Sequence, residues 1–300
     1  MAKEETSAHD PQSADPHRPL EEGQEWHIGG SDRQLSEPEQ LEQLASYLEA
    51  HYPLPDFRPP WAGGGSKAAD RYCALLPDRI THAAMMVLGA GVDHSLPGTK
   101  FTAEITRLDS EVGAIFVPPA PTGRWAVSLH SGGWWRGNGQ ALEMQWRPEV
   151  AAAAQLSGTT LIDVDYPLAP EHTVDEMVAS VRRAVEHARA QGAESVTVWG
   201  YSSGGALAAL LSKDVDALAL TFPDFAALGN LPDTLRAGYE LPVVDSYPRT
   251  LVQTALYDEV ASPVTIPSAE RADYVSQHRI STPAVARQRI IDTAEFLKSV

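Results

Sequence analysis

The sequence predicts an α/β protein with a mostly parallel central sheet and helices on both faces. Three observations predict it. From residue 100 onward, apolar runs of strand length alternate with helical periods. The runs after residue 124 are nearly continuous in Val, Leu, Ile and Ala, as strands covered on both faces require. Between two of them lies a well-marked amphipathic helix, and strand–helix–strand repetition produces right-handed crossovers in a parallel sheet.

Taken in order, Pro38 to His51 has Leu41, Leu44, Ala45 and Leu48 on one helical face. Pro53, Pro55, Pro59 and Pro60, then Gly63 to Gly65, punctuate the chain, and a second helical stretch is expected over Ala68 to Ala90. Ala103–Leu108 and Ala114–Pro118, split by Asp109, Ser110 and Glu111, read as an antiparallel pair. The parallel strands are expected at Trp125–Leu129, Thr160–Asp165, Val196–Trp199, Ala217–Phe222 and Leu251–Leu256. Thr173 can N-cap the intervening helix, with Glu176 at the capping-box position. Val174, Met177, Val178, Val181, Ala184, Val185 and Ala188 follow as its apolar stripe. A last helix starts at Thr282-Pro283 and buries Ala286, Ile290, Ala294 and Leu297.

Composition narrows the function classes. The 300 residues carry a net charge of −17, from 40 acidic and 23 basic side chains. That balance excludes a nucleic-acid partner, because phosphates need Lys and Arg. Residues 1–50 hold −9 of the charge and the other 250 only −8. The polar, acidic first 35 residues read as a disordered tail. The single cysteine, Cys73, excludes an internal disulfide and any multi-cysteine metal site, and reads as a small buried hydrophobe. No signal peptide and no run near the roughly 20 apolar residues of a membrane span is readable, so a soluble, cytoplasmic protein is expected. Gly89-Ala90-Gly91 begins like a dinucleotide-binding turn but reaches His94 where the third glycine should stand. With no phosphate loop or metal-ligand motif, no cofactor and no metal is implied.

Two motifs carry chemistry. Gly200-Tyr201-Ser202-Ser203-Gly204 reads G-x-S-x-G between an apolar strand and an Ala/Leu-rich helix, the setting of a nucleophile elbow with Ser202 at its tip. His130-Ser131-Gly132-Gly133-Trp134-Trp135 follows the strand Trp125–Leu129. With Asp165-Tyr166-Pro167-Leu168-Ala169-Pro170-Glu171, these blocks resemble the α/β-hydrolases of the hormone-sensitive-lipase-like esterase group. There the corresponding stretches read H-G-G-G and D-Y-R-L-A-P-E, so Ser131 replaces a glycine and Pro167 an arginine. The resemblance covers roughly residues 100–300.

It implies an α/β-hydrolase fold and a serine hydrolase acting on small-molecule carboxylic esters, the oligomeric state being left open by the sequence. Chain order in that fold is serine, acid, histidine. Of ten histidines only His278 follows Ser202, which makes it the base. Asp258 matches the family's acid, Glu259 competes with it, and Asp224 and Asp245 are more distant candidates. The N–H groups of Gly132, Gly133 and Ser203 are the expected oxyanion hole. Trp134, Trp135 and Tyr201 are candidates for the pocket wall. His130 buttresses the glycine loop in the family, and His172 reads as a helix-entry residue. The domain plan is a tail over 1–35, a helical cap segment over 36–100 and the hydrolase domain over 101–300. Two alternatives stay open: an amide hydrolase like kynurenine formamidase, whose H-G-G-x-W loop the tryptophans resemble, and a hydrolase fold reused for binding without catalysis.

Overall fold

The computed structural model describes residues 35–89 and 91–300; the expected tail lies, but for Leu35, outside the described residues. An eight-stranded sheet runs through the molecule in the order β1-β2-β4-β3-β5-β6-β7-β8. The strands are β1 Thr106–Ser110, β2 Gly113–Val117, β3 Arg124–Leu129, β4 Thr160–Val164, β5 Ser195–Tyr201, β6 Ala217–Thr221, β7 Arg249–Ala255 and β8 Glu270–Tyr274. β2 is antiparallel to both β1 and β4, and every pairing from β4 across to β8 is parallel. Side chains alternate faces along each strand. Val127, Leu129, Val196, Val198, Leu218 and Leu220 enter one apolar cluster. Ala126, Trp199, Ala217 and Ala219 enter the other.

Helices α1 Glu37–His51, α2 Ser66–Ala74 and α3 Leu76–Val87 precede the sheet; α4 Arg147–Ser157, α5 Val174–Ala190, α6 Ser203–Leu210 and α7 Pro283–Ser299 lie among and after its strands. α5 and α6 pack on the first cluster and α4 and α7 on the second. The expected capping box opens α5: the Glu176 carboxylate accepts the Thr173 N–H at 2.9 Å. Thr282 caps α7, and Ala286, Ile290, Ala294 and Leu297 are buried as expected.

Two expectations change. The single helix over 68–90 is instead α2 and α3, broken at Leu75. Pro77 causes the break, since it has no N–H to donate and its ring collides with a carbonyl one turn back. β8 has no counterpart among the expected strands. Its sequence, Glu-Arg-Ala-Asp-Tyr, is mostly exposed at the sheet edge, so it lacks the apolar run that marks an inner strand.

α1 to α3 bury Leu44, Leu48, Tyr72, Leu76, Ile80 and Ala84 in a third cluster, with Phe57 packed against it. Residues 35–300 form one compact unit. No helix among the described residues is long and apolar enough to cross a membrane. β3 and β5 are neighbours whose outgoing connections lead to opposite sides of the sheet, through α4 to β4 and through α6 to β6. Such a divergence opens a crevice at the carboxyl ends of the strands.

Candidate active site

Ser202 stands in that crevice, between the end of β5 and the start of α6. Its φ is +57° with ψ −121°, a conformation costly for a residue with a Cβ. The turn is held from three sides. The Ser202 N–H donates to the Thr221 carbonyl at 3.0 Å, and its own carbonyl accepts from Gly205 at 2.9 Å and Asp224 at 3.1 Å. Gly204 is required by close approach, since a Cβ there would lie 2.4 Å from the His130 carbonyl oxygen.

Two other strand ends bring the partners. His278 Nε2 is 2.9 Å from Ser202 Oγ. His278 Nδ1 is 2.8 Å from Asp258 Oδ2. Both the His278 and Asp258 side chains are more than nine-tenths buried. Burial pushes the Asp258 carboxyl up, but the hydrogen bond and charge of His278 and the N–H groups of Val260 and Ala261 outweigh it. Asp258 is therefore held below the usual carboxylate range.

Glu259, the competing acid, touches the same histidine elsewhere. Its Oε2 accepts the His278 backbone N–H at 2.7 Å, and its Oε1 accepts from Arg279 at 3.1 Å. Asp224 borders the crevice with its carboxylate on the Ala227 N–H at 3.1 Å. Asp245 is exposed on a short turn, Val244–Ser246, and bonds neither Ser202 nor His278.

The loop after β3 curls over the serine. Gly132 has φ +142°, and a Cβ there would fall 1.8 Å from the Arg136 carbonyl oxygen. The expected donors divide. The Gly132 and Ser203 N–H groups have no hydrogen-bond partner among the described residues, whereas the Gly133 N–H already donates to Ser203 Oγ at 2.9 Å. As a sequence expectation, Ser203 supplied only its N–H; its hydroxyl also occupies a neighbouring donor.

His130 lies beneath this loop, stacked on Tyr166 at 4.2 Å, with Nδ1 2.6 Å from the Ser131 carbonyl. Complete burial drives its pKa down to about 4, so the ring is neutral. The Tyr166 hydroxyl donates to the His130 carbonyl at 2.8 Å, and the Ala169 N–H to that of Trp134 at 2.9 Å. The Asp165–Glu171 stretch thereby braces the loop. His172 sits at the entry to α5 beside Glu176.

The tryptophans separate as well. Trp134 is buried in the core with φ +77°, so it is not a pocket wall. Trp135 and Tyr201 do border the crevice. Tyr201 stacks on the His278 ring at 5.5 Å, and its hydroxyl donates to the His278 carbonyl.

A cavity of about 140 Å³ contains Ser202 and His278 and reaches Phe57, Cys73, Arg136 and Gln145. A second, of about 260 Å³, adjoins it through Ser131, Gln145, Tyr201, His278 and Arg279, and extends to Leu76, Ile80 and Leu96. Residues of the segment before the sheet therefore form part of both walls. Phe57 and Arg136 were not expected from the sequence, although Arg136 directly follows the tryptophan pair.

Residues 126–230 match a family model described as alpha/beta hydrolase fold. The chain has the α/β-hydrolase fold. Solved hydrolases superpose on most of it. An esterase from the bacterial hormone-sensitive lipase family gives a TM-score of 0.56 at 14% identity, over 89% of this chain and 99% of the other. A hyperthermophilic esterase from the archaeon Pyrobaculum calidifontis gives 0.51 at 16% identity, over 80% and 95%. A thermostable carboxylesterase cloned from a metagenomic library gives 0.50 at 18% identity, over 79% and 98%. At these identities the likeness lies in the fold. Among curated proteins no match was found.

Proposed function

We propose that this α/β-hydrolase is a serine hydrolase of the carboxylesterase type. The observation that carries the reading is the hydrogen-bonded chain from Ser202 Oγ through His278 to Asp258, built on a strained turn at the carboxyl edge of the sheet. Ser202 Oγ attacks the ester carbonyl while His278 Nε2 takes its proton. Asp258 holds the proton on Nδ1, keeps the imidazole in the useful tautomer and stabilises the imidazolium. The oxyanion that forms is received by the Gly132 and Ser203 N–H groups, beside Gly133, whose N–H rests on Ser203 Oγ. His278 returns its proton to the leaving alcohol, and water, activated by the same histidine, releases the acid from the acyl-enzyme. The adjoining cavities around His278 provide room for the two halves of an ester.

Hydrolysis of a short p-nitrophenyl ester tests the proposal. Ser202→Ala should lower kcat on the order of 10⁶-fold. A fluorophosphonate should label wild type and leave Ser202→Ala unlabelled. Equal turnover by both proteins would remove Ser202 from the mechanism, and an unlabelled wild type would favour a binding role for the fold.

A further inference from the structure

Arg136 lines the cavity of Ser202 and His278, yet the reaction above gives it no task. It is a buried residue, 8% exposed. Its guanidinium lies against two rings, with Cζ 4.9 Å from the centre of Phe57 and 5.7 Å from that of Trp135. Its Nη1 donates to Cys73 Sγ at 3.3 Å, a weak acceptor. Nε and Nη2 have no partner among the described residues, and no carboxylate there forms an ion pair with it. Asp70, on whose carboxyl the charge of Arg136 acts, has its Oδ1 on the Gly137 N–H at 2.8 Å and makes no hydrogen bond to the guanidinium. Arg279, on the Phe57 ring at 4.4 Å, differs, because Glu259 pairs with it at 3.1 Å.

Buried arginines ordinarily have a matching anion, because an isolated charge in a low-dielectric site is costly. Here the ring contacts hold the guanidinium in place and leave the Nε–Nη2 edge unused. That edge is a planar two-donor fork with the spacing of a carboxylate. Its position in the cavity of the nucleophile makes the substrate the fitting source of the anion. We propose that Arg136 binds a carboxylate of the substrate, so that the cleft selects esters carrying an acidic group over neutral esters of the same shape. The proposal rests on the serine-hydrolase reading for its chemistry, but not for the binding of the anion.

Two pairs of esters test it and locate the carboxylate. On the acyl side, p-nitrophenyl hemiglutarate is compared with p-nitrophenyl valerate; on the alcohol side, meta-acetoxybenzoate with phenyl acetate. Wild type should favour the anionic member of one pair in kcat/KM. Arg136→Gln should cut that preference roughly 10- to 100-fold, the range of a charge-assisted hydrogen bond, mainly through KM. Arg136→Lys should restore part of it. The ratio compares two esters on one protein, so general damage to the loop cancels. If Arg136→Gln does not fold, Arg136→Lys, which keeps the charge but loses the planar fork, should lower the wild-type preference, and an unchanged preference in it overturns the proposal.

No anionic preference in either pair, or one untouched by Arg136→Gln, overturns the proposal. A calorimetric titration with glutarate and with benzoate separates the two readings. Arg136-dependent binding without turnover of any ester sinks the hydrolase reading alone. Turnover without anionic preference sinks the carboxylate site alone. Neither turnover nor carboxylate binding sinks both.

Discussion

Asp258 and Glu259 are neighbours in the chain and meet the same histidine at different atoms. Asp258 holds the ring; Glu259 holds the backbone N–H and Arg279. Asp258→Asn should therefore lower kcat by about 10⁴-fold through the wrong tautomer. Glu259→Gln, which weakens only an acceptor of the backbone, should cost about tenfold. Steady-state ester kinetics on both variants check this, and a larger loss at Glu259 would reverse the roles. The sequence brought both acids to the site by chain order, but which carboxylate reaches Nδ1 depends on the turn at Val260 and Ala261, whose N–H groups aim Asp258.

His130 gives a prediction about stability. Its folded pKa of about 4 lies below the ordinary 6.5, so the unfolded chain binds the proton more readily. The stability tied to the neutral ring is fully present above pH 6.5 and is lost as pH falls toward about 4, by on the order of 3 kcal/mol. Asp163 acts oppositely, its burial raising its pKa to about 6, and so favours the fold on acidification. Urea midpoints of wild type and His130→Gln across this range isolate the histidine. The variant should lose less stability than wild type, and parallel curves would exclude the effect.

Among the elements, the turn between β5 and α6 was legible because its glycines, serine and flanking apolar runs all lie together between Val196 and Leu211. Gly204 is where that turn meets the loop after β3. Gly204→Ala would drive a methyl group into the His130 carbonyl. It should destabilise the fold by about 1–3 kcal/mol and lower kcat together, read by denaturant unfolding and ester turnover. An unchanged midpoint would mean that the loop gives way freely. The capped helix α5 and the inner strands were legible from period and caps. β8 was not, because an edge strand with charged side chains has no buried face to show in its pattern. The division of α2 from α3 followed from Pro77, a residue whose effect is local, yet the apolar stripe continued across it and suggested one helix.

For the molecule as a whole, the charge is uneven, with −9 in the first 50 residues and −8 in the rest. Deleting residues 1–30 should leave the melting temperature and ester kcat/KM unchanged, and a fall in either would make that segment part of the enzyme. The sequence by itself determined the α/β class and singled out Ser202 and His278, which the fold brings to 2.9 Å. Each depends on short-range patterns, namely apolar periodicity, turn glycines and the order of residue types along one chain. Only the tertiary structure decided that Trp134 is core while Trp135 borders the crevice, since adjacent side chains on a glycine-rich loop part according to a backbone that no local rule describes. It also decided that Ser203 Oγ takes up the Gly133 N–H, and that Arg136 lies against Phe57 and Trp135 without a carboxylate partner among the described residues. The physical reason is common to all three. Hydrogen-bond partners and counter-charges come from segments tens of residues apart, and packing of the closed fold, not the neighbouring sequence, brings them within reach.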